Sequence, residues 1–415
     1  MNIEIRSGRV IDPKNGVDRN MSLFIAEGRV AGFGEAPAGF VAARTVDAGG
    51  RVVCPGLIDL GARLNSIQAE LAAAVAGGVT SVVVPPDTVP PLDEPELADR
   101  LIHRAKEIGK ARVLPLGALT AGLQGERLAE LAGLKMAGCI AFSQAKVPVV
   151  DTEALLRALE YAATFAFPVW LQPQDYWLSR NGIAHEGEVA SRLGLAGIPV
   201  AAETIAIGTL IQLVRITGCR LHLTRLSSAA GMQLVHRAQH DGLPITCDVG
   251  IHHLLLTEDD IGFFDPHARF CPPLRAQSDC QALSRAAATG LAAICSDHTP
   301  VGADDKLLPF GEARPGATGL EVLLPLTLKW AAAAGVSLPA ALDRITSAPA
   351  EILGMASGQL AVGSVADVCI FDPRATWQLT AEALKSRGKN SPWTGCMMTG
   401  KVRLTLVAGR VVYEG

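Results

Sequence analysis

The chain has 415 residues, 49% hydrophobic and 19% charged, with a formal net charge of −4. That balance describes a globular protein with a large core, and it argues against nucleic acid or an anionic membrane as the main partner. Aromatic residues make up only 5%, as in α/β folds built from closely packed Ala-, Gly-, Leu- and Val-rich elements.

The opening stretch, "MNIEIRSGRVID", alternates like a strand and lacks the basic-then-apolar run of a signal peptide. "SLFIAEGRVAGFG" and "RTVDAGGRVVCPG" continue in the same manner, with turn residues between strand-like runs. The last part of the chain is similar, with "GSVADVCIFDP" and then "GKVRLTLVAGRVVYEG". The two β-rich ends predict one small β-sandwich domain assembled from residues 1–53 and 357–415, around a different domain at 54–356.

Within that middle, short apolar runs alternate with amphipathic segments. "AELAAAVAGG" precedes "VTSVVVP", and "ELADRLIHRAKEIGK" precedes "ARVLPLGAL"; "CIAFS", "PVWLQP", "RLHLTRL", "PITCDVG" and "AAICSDH" extend the series. Near-continuous apolar strands between helices predict a parallel sheet buried on both faces, and about eight of them point to a (β/α)8 barrel. Residues 303–319, "ADDKLLPFGEARPGATG", are expected to be a mobile loop. No run reaches about 18 uninterrupted apolar residues, so no membrane span is predicted. The nine cysteines include no C-x-x-C pair, which fits a reduced, cytoplasmic chain.

A barrel carries its chemistry at the C-terminal ends of its strands. The residues predicted there are Arg63, Asp87, Gln144, Gln172, Arg225, the pair His252–His253, and the pair Asp297–His298. Asp297, directly after an apolar strand, suits a metal ligand or a general base; the alternative is a carboxylate that caps the following turn. His252 or His253 would supply one further ligand, or one ring would be buried and bonded to backbone. Arg225 ends its strand with a cation that cannot be deprotonated to ligate. His185, His236, His240 and His267 read as surface, whereas Cys139, Cys247, Cys295 and Cys369 read as core.

Taken together, "GRVIDP", "PGLIDL", "AGGVTSVVVPPDTVP", "GCIAFS", "LPITCDVGIHHLLLT", "CPPLR", "SDHTP" and "TSAPAEILG" resemble the amidohydrolase superfamily and, within it, the dihydroorotases. The resemblance covers nearly the whole chain and implies a (β/α)8 barrel with a composite β domain. It also implies a binuclear zinc centre that activates water against a cyclic amide.

The departures from that pattern bear on function. The family carries His-x-His-Leu-Arg after "PGLIDL", two zinc ligands and a substrate-binding arginine; here the matching residues are Gly61, Arg63, Leu64 and Asn65. Gln144 and Ala145 stand where the bridging carboxylate is expected, with Lys146 and Lys135 nearby but out of register. Arg225 replaces the next ligand His, so one His of 252–253 and Asp297 are what remain. Asp87 and Cys271 stand where substrate-binding asparagines are expected, and Asp87 carries the wrong charge for an anionic substrate.

A protein zinc site is worth only about 10–16 kcal/mol in total, so losing this many ligands predicts that zinc is not retained. Arg63 or Arg225 is then expected to pair with Asp297 in the metal's place. The resemblance narrows to the non-catalytic dihydroorotase-like chains that associate with aspartate carbamoyltransferase, in a dodecamer of six plus six. It implies a structural subunit in pyrimidine biosynthesis, its packing segments intact as those of a decaying gene would not be. Two rival readings stand beside it. One is an amidohydrolase of altered specificity, with a single metal or none. The other is a sensor that grips an anionic metabolite between Arg63 and Arg225.

Overall fold

The computed structural model describes residues 2–415. Two eight-stranded sheets organise the chain. The first is drawn from both ends of the sequence. Its path runs Arg410–Glu414, Met397–Val407, Val368–Gln378, Val52–Pro55, Ile3–Asp12, Val17–Ala26 and Arg29–Phe33, with Arg44–Asp47 paired to Ile3–Asp12. The period-2 alternation of a strand assigns its two faces. Val53, Ile3, Ile5, Leu23, Val368, Ile370, Leu404 and Leu406 fill a core of the sheet's own. Val52, Cys54, Cys369 and Phe371, on the opposite face, pack into the core of the second unit.

That second unit is a (β/α)8 barrel, nearly closed. Its strands are parallel and lie in chain order: Leu57–Asp59, Val79–Val84, Arg112–Ala118, Ala141–Ser143, Val169–Leu171, Leu221–Leu223, Ile245–Gly250 and Ala293–Cys295. No ladder joins the first strand to the eighth among the described residues. The seam is held instead just past the strand ends, where Arg63 N donates to His298 O at 2.9 Å and Ala62 bridges His298. Leu60, Val83, Leu116, Ala141, Trp170, Ala293 and Cys295 plug the barrel axis, the packed interior such a barrel requires. Helix Val200–Thr217 is long and apolar enough to cross a membrane, but it belongs to the barrel's outer layer and buries Ile207, Leu210, Ile211 and Val214 in the main core.

Residues 303–319 are anchored rather than loose. Arg269 Nη1 donates to the carbonyls of Phe310 (2.8 Å), Gly311 (2.6 Å) and Ala313. Lys306 Nζ reaches Pro266 O at 2.7 Å, and Phe310 is buried. Against the expectation of a loose loop, Arg269 reaches these carbonyls from about 40 positions earlier, outside the segment's own composition, while Lys306 donates outward from within it.

Candidate functional site

The mouth of the barrel is framed by strand ends whose backbone is held in unusual conformations. Ala145 (φ 52°), Arg225 (φ 56°) and Asp297 (φ 44°) all lie in the left-handed region, which costs non-glycine residues about 1–3 kcal/mol unless the surroundings impose it. A side-chain oxygen fixes each turn. Ser143 Oγ accepts from Ala145 N at 3.0 Å. Asp248 Oδ1 accepts from Arg225 N at 2.8 Å, and its Oδ2 lies 2.9 Å from His222 Nε2. Asp59 accepts from Ser296 N (2.7 Å) and Ser296 Oγ (2.6 Å), while Ser296 Oγ accepts from His298 N at 3.1 Å. Burial raises the Asp59 carboxyl to about 6 despite these donors.

At the centre, Arg225 Nη1 donates to Asp297 Oδ1 at 3.0 Å and Nη2 to Gln172 Oε1 at 2.6 Å. Both members of the ion pair are buried, Arg225 at 6% and Asp297 at 2% exposure. Burial alone would push the Asp297 carboxyl up, but Arg225, Lys146 and Arg63 together hold it below the usual carboxylate range. Burial would likewise lower Arg225, and Asp297 more than restores it. Of the two arginines expected to replace the metal, Arg225 makes the direct contact.

Arg63 has a different partner. Its Nε donates to Asp87 Oδ2 at 2.9 Å, and its Nη1 donates to Thr299 Oγ1 at 3.2 Å while staying 3.9 Å from Asp297. The Asp87 carboxylate, wrong in sign for an anionic substrate, is thus matched by a cation from the end of the adjacent strand. Lys146 stands half-buried beside these groups. Burial first, and Arg63 next, lower its amine to about 8.

The other expected positions are occupied by structural bonds. Gln144 is buried and exchanges hydrogen bonds with the Thr120 hydroxyl, its Nε2 donating at 2.7 Å. Asn65 Nδ2 donates to Pro300 O at 2.8 Å. Cys271 lies 3.7 Å from Gln172 Nε2. Gly61 faces open space, with nothing within 4 Å of where a Cβ would stand. The cavity it lines with Arg225, Asp248 and Trp170 has a volume of only about 20 Å³.

The two histidines are also committed. Trp393 Nε1 donates to His252 Nδ1 at 3.0 Å. An indole N–H can only donate, so the His252 proton sits on Nε2, whose lone pair is therefore absent. Burial keeps that ring neutral, lowered to about 3. His253 Nε2 donates to Pro272 O at 3.1 Å, and its Nδ1 faces Gly250, 3.2 Å from where a Cβ would lie. His298 accepts from Gly319 N at Nδ1 (3.0 Å) and so donates from Nε2 to Glu70 Oε2 at 3.0 Å.

A binuclear zinc centre does not fit these residues. Among the described residues no three His, Cys, Asp or Glu side chains converge, and the guanidinium of Arg225 takes the carboxylate that a cation would need. Of the two histidines, His252 carries its proton on Nε2, which is buried without a hydrogen-bond partner.

Sequence reasoning missed several residues. Asp59, Ser143 and Asp248 lie within apolar strands, where a carboxylate is itself a signal. Trp393 and Asn390 arrive from the C-terminal segment and have no local signature. His185, expected at the surface, is buried against Arg275 Nη1 at 3.1 Å.

Comparison with known proteins places this geometry. A family model described as dihydro-orotase-like matches residues 50–230, and an amidohydrolase family model matches residues 224–413. The chain is 44% identical to a dihydroorotase-like protein of Pseudomonas aeruginosa over the full length of both. It is 37% identical to a dihydroorotase of Trichlorobacter lovleyi, again over both full lengths. Among solved structures, an L-hydantoinase (dihydropyrimidinase) from Arthrobacter aurescens superposes with a TM-score of 0.87 at 26% identity, covering 99% of this chain and 96% of that one.

Proposed function

Because the chain belongs to the dihydroorotase-like family of amidohydrolases, we propose that it is a non-catalytic member acting in the cytoplasm as an assembly subunit for aspartate carbamoyltransferase. The observation that carries the reading is the Arg225–Asp297 contact at 3.0 Å. A guanidinium there supplies the counter-charge a metal would supply, without its Lewis acidity or a bound water to activate. The fold then keeps its charge balance and loses its chemistry.

An exposed apolar strip supports a role in association. Trp177 (61% exposed), Tyr176, Val147, Val150 and Ile205 share one shallow groove at the rim of the mouth. Apolar surface gathered in this way marks interaction sites more often than isolated exposed residues do.

Co-expression with the aspartate carbamoyltransferase of the same organism, followed by sizing and transferase assays, tests the proposal. A stable complex with transferase activity that depends on this chain is the expected result. A transferase fully assembled and active alone would end it. Metal analysis and dihydroorotate turnover of the purified chain address the rival hydrolase reading, for which stoichiometric metal with turnover is the required outcome.

A further inference from the structure

Beside the barrel mouth, and separate from the Arg225–Asp297 pair, a cleft of about 640 Å³ opens between the strand-end loops and helix Pro95–Ile108. That volume suits a small metabolite, whereas the cavity of about 20 Å³ at the mouth holds at most one water. Four guanidinium groups line the cleft, those of Arg63, Arg100, Arg104 and Arg314, against the single carboxylate of Asp87.

The charges are poorly compensated. Asp87 is already shared with Arg63. Arg104 bonds Glu107 at 3.0 Å and Arg314 has Asp305 at 3.7 Å, but neither acid lines the cleft. Arg100 has no acidic partner among the described residues. Arg100 and Arg104 are one helical turn apart on the same face, an arrangement that costs a helix a few tenths of a kcal/mol. Within the Arg63–Asp87 pair two buried atoms also lack hydrogen bonds, Arg63 Nη2 as a donor and Asp87 Oδ1 as an acceptor. Nη2 lies 2.8 Å from Asp87 Oδ2 but does not satisfy hydrogen-bond geometry with it.

We propose that this cleft binds a small polyanion, a metabolite carrying phosphate groups or several carboxylates together with one hydrogen-bond donor. The arginines would receive the charges, and the Asp87 carboxylate, whose side chain is 25% exposed, the ligand's hydroxyl or acidic proton. This differs from an anion gripped between Arg63 and Arg225, since Arg225 is spent on Asp297 and Gln172. It does not depend on the assembly role.

Titration calorimetry of the full chain at low ionic strength with pyrophosphate, citrate and orthophosphate tests the inference. Saturable one-to-one binding of pyrophosphate or citrate, at least about tenfold weaker in Arg100→Gln/Arg104→Gln, is expected, since one lost charged hydrogen bond is worth about that much. Preference for pyrophosphate identifies a phosphate ligand, and preference for citrate a polycarboxylate. Absence of saturation with both probes overturns the proposal. So does unchanged affinity in the double variant, or in Arg314→Gln if the double variant melts early.

Discussion

Arg225 and Asp297 illustrate how unevenly a buried ion pair responds to mutation. Removing one partner leaves an uncompensated charge in the core, at a cost of about 3–5 kcal/mol, whereas replacing both by apolar groups is often neutral. Arg225→Met alone should therefore lower stability by roughly that amount, and Arg225→Met/Asp297→Leu should recover most of it. Urea denaturation measures both, and a single variant as stable as the parent would refute the charge-replacement account. The pair's stabilisation is full above pH ~4 and lost as pH falls, because the folded-state pKa of Asp297 lies below its unfolded value. Asp59 behaves in the opposite sense. Its folded-state pKa of about 6 exceeds the unfolded value, so its contribution is present below pH ~4 and lost as pH rises through 6. Relative to Asp59→Asn, the parent should lose up to about 3 kcal/mol between pH 4 and 7. Parallel melting curves across that range would contradict the assignment.

At the scale of elements, the turns that end the barrel strands are fixed from beneath by Ser143, Asp248 and the Asp59–Ser296 pair. The left-handed backbone at Ala145, Arg225 and Asp297 is therefore imposed by side chains of the strands themselves. In the anchored segment 303–319, one guanidinium holds three carbonyls. Arg269→Ala withdraws hydrogen bonds from three carbonyls and should destabilise the segment locally by roughly 2 kcal/mol. Cleavage by a protease within 303–319 would then quicken about thirtyfold, with little change in the global melting temperature. Equal cleavage rates would show that the segment is held elsewhere.

At the scale of the whole molecule, the stretch between Val368–Gln378 and Met397–Val407 ties the terminal sheet to the barrel mouth. Asn390 Nδ2 donates to Thr299 O (3.0 Å) and Gly316 O (2.9 Å), while its Oδ1 accepts from Val301 N (2.9 Å). Trp393 meets His252, and Lys385 N and Ser386 N bond the Glu321 carboxylate at 2.7 and 3.0 Å. Asn390→Ala would leave three buried backbone groups unpaired, at roughly 3 kcal/mol or more. The expected readout is a lower urea midpoint by both far-UV dichroism and tryptophan fluorescence. An unmoved midpoint would make the segment a passenger on the barrel.

The sequence by itself determined the barrel, since apolar strands alternating with amphipathic helices leave few other ways to bury both faces of a parallel sheet. It also placed Gly61, Arg63, Gln144 and Arg225 at the strand ends, because residue types at fixed offsets from a strand are local facts. Only the tertiary structure decided that Arg225 takes Asp297 while Arg63 takes Asp87, and that Trp393 fixes the tautomer of His252. It also decided that Arg269 anchors 303–319. These contacts join residues 24 to 141 positions apart. Which of two equal cations meets a carboxylate depends on strand order, stagger and side-chain reach, and none of these is written in the residues next to it.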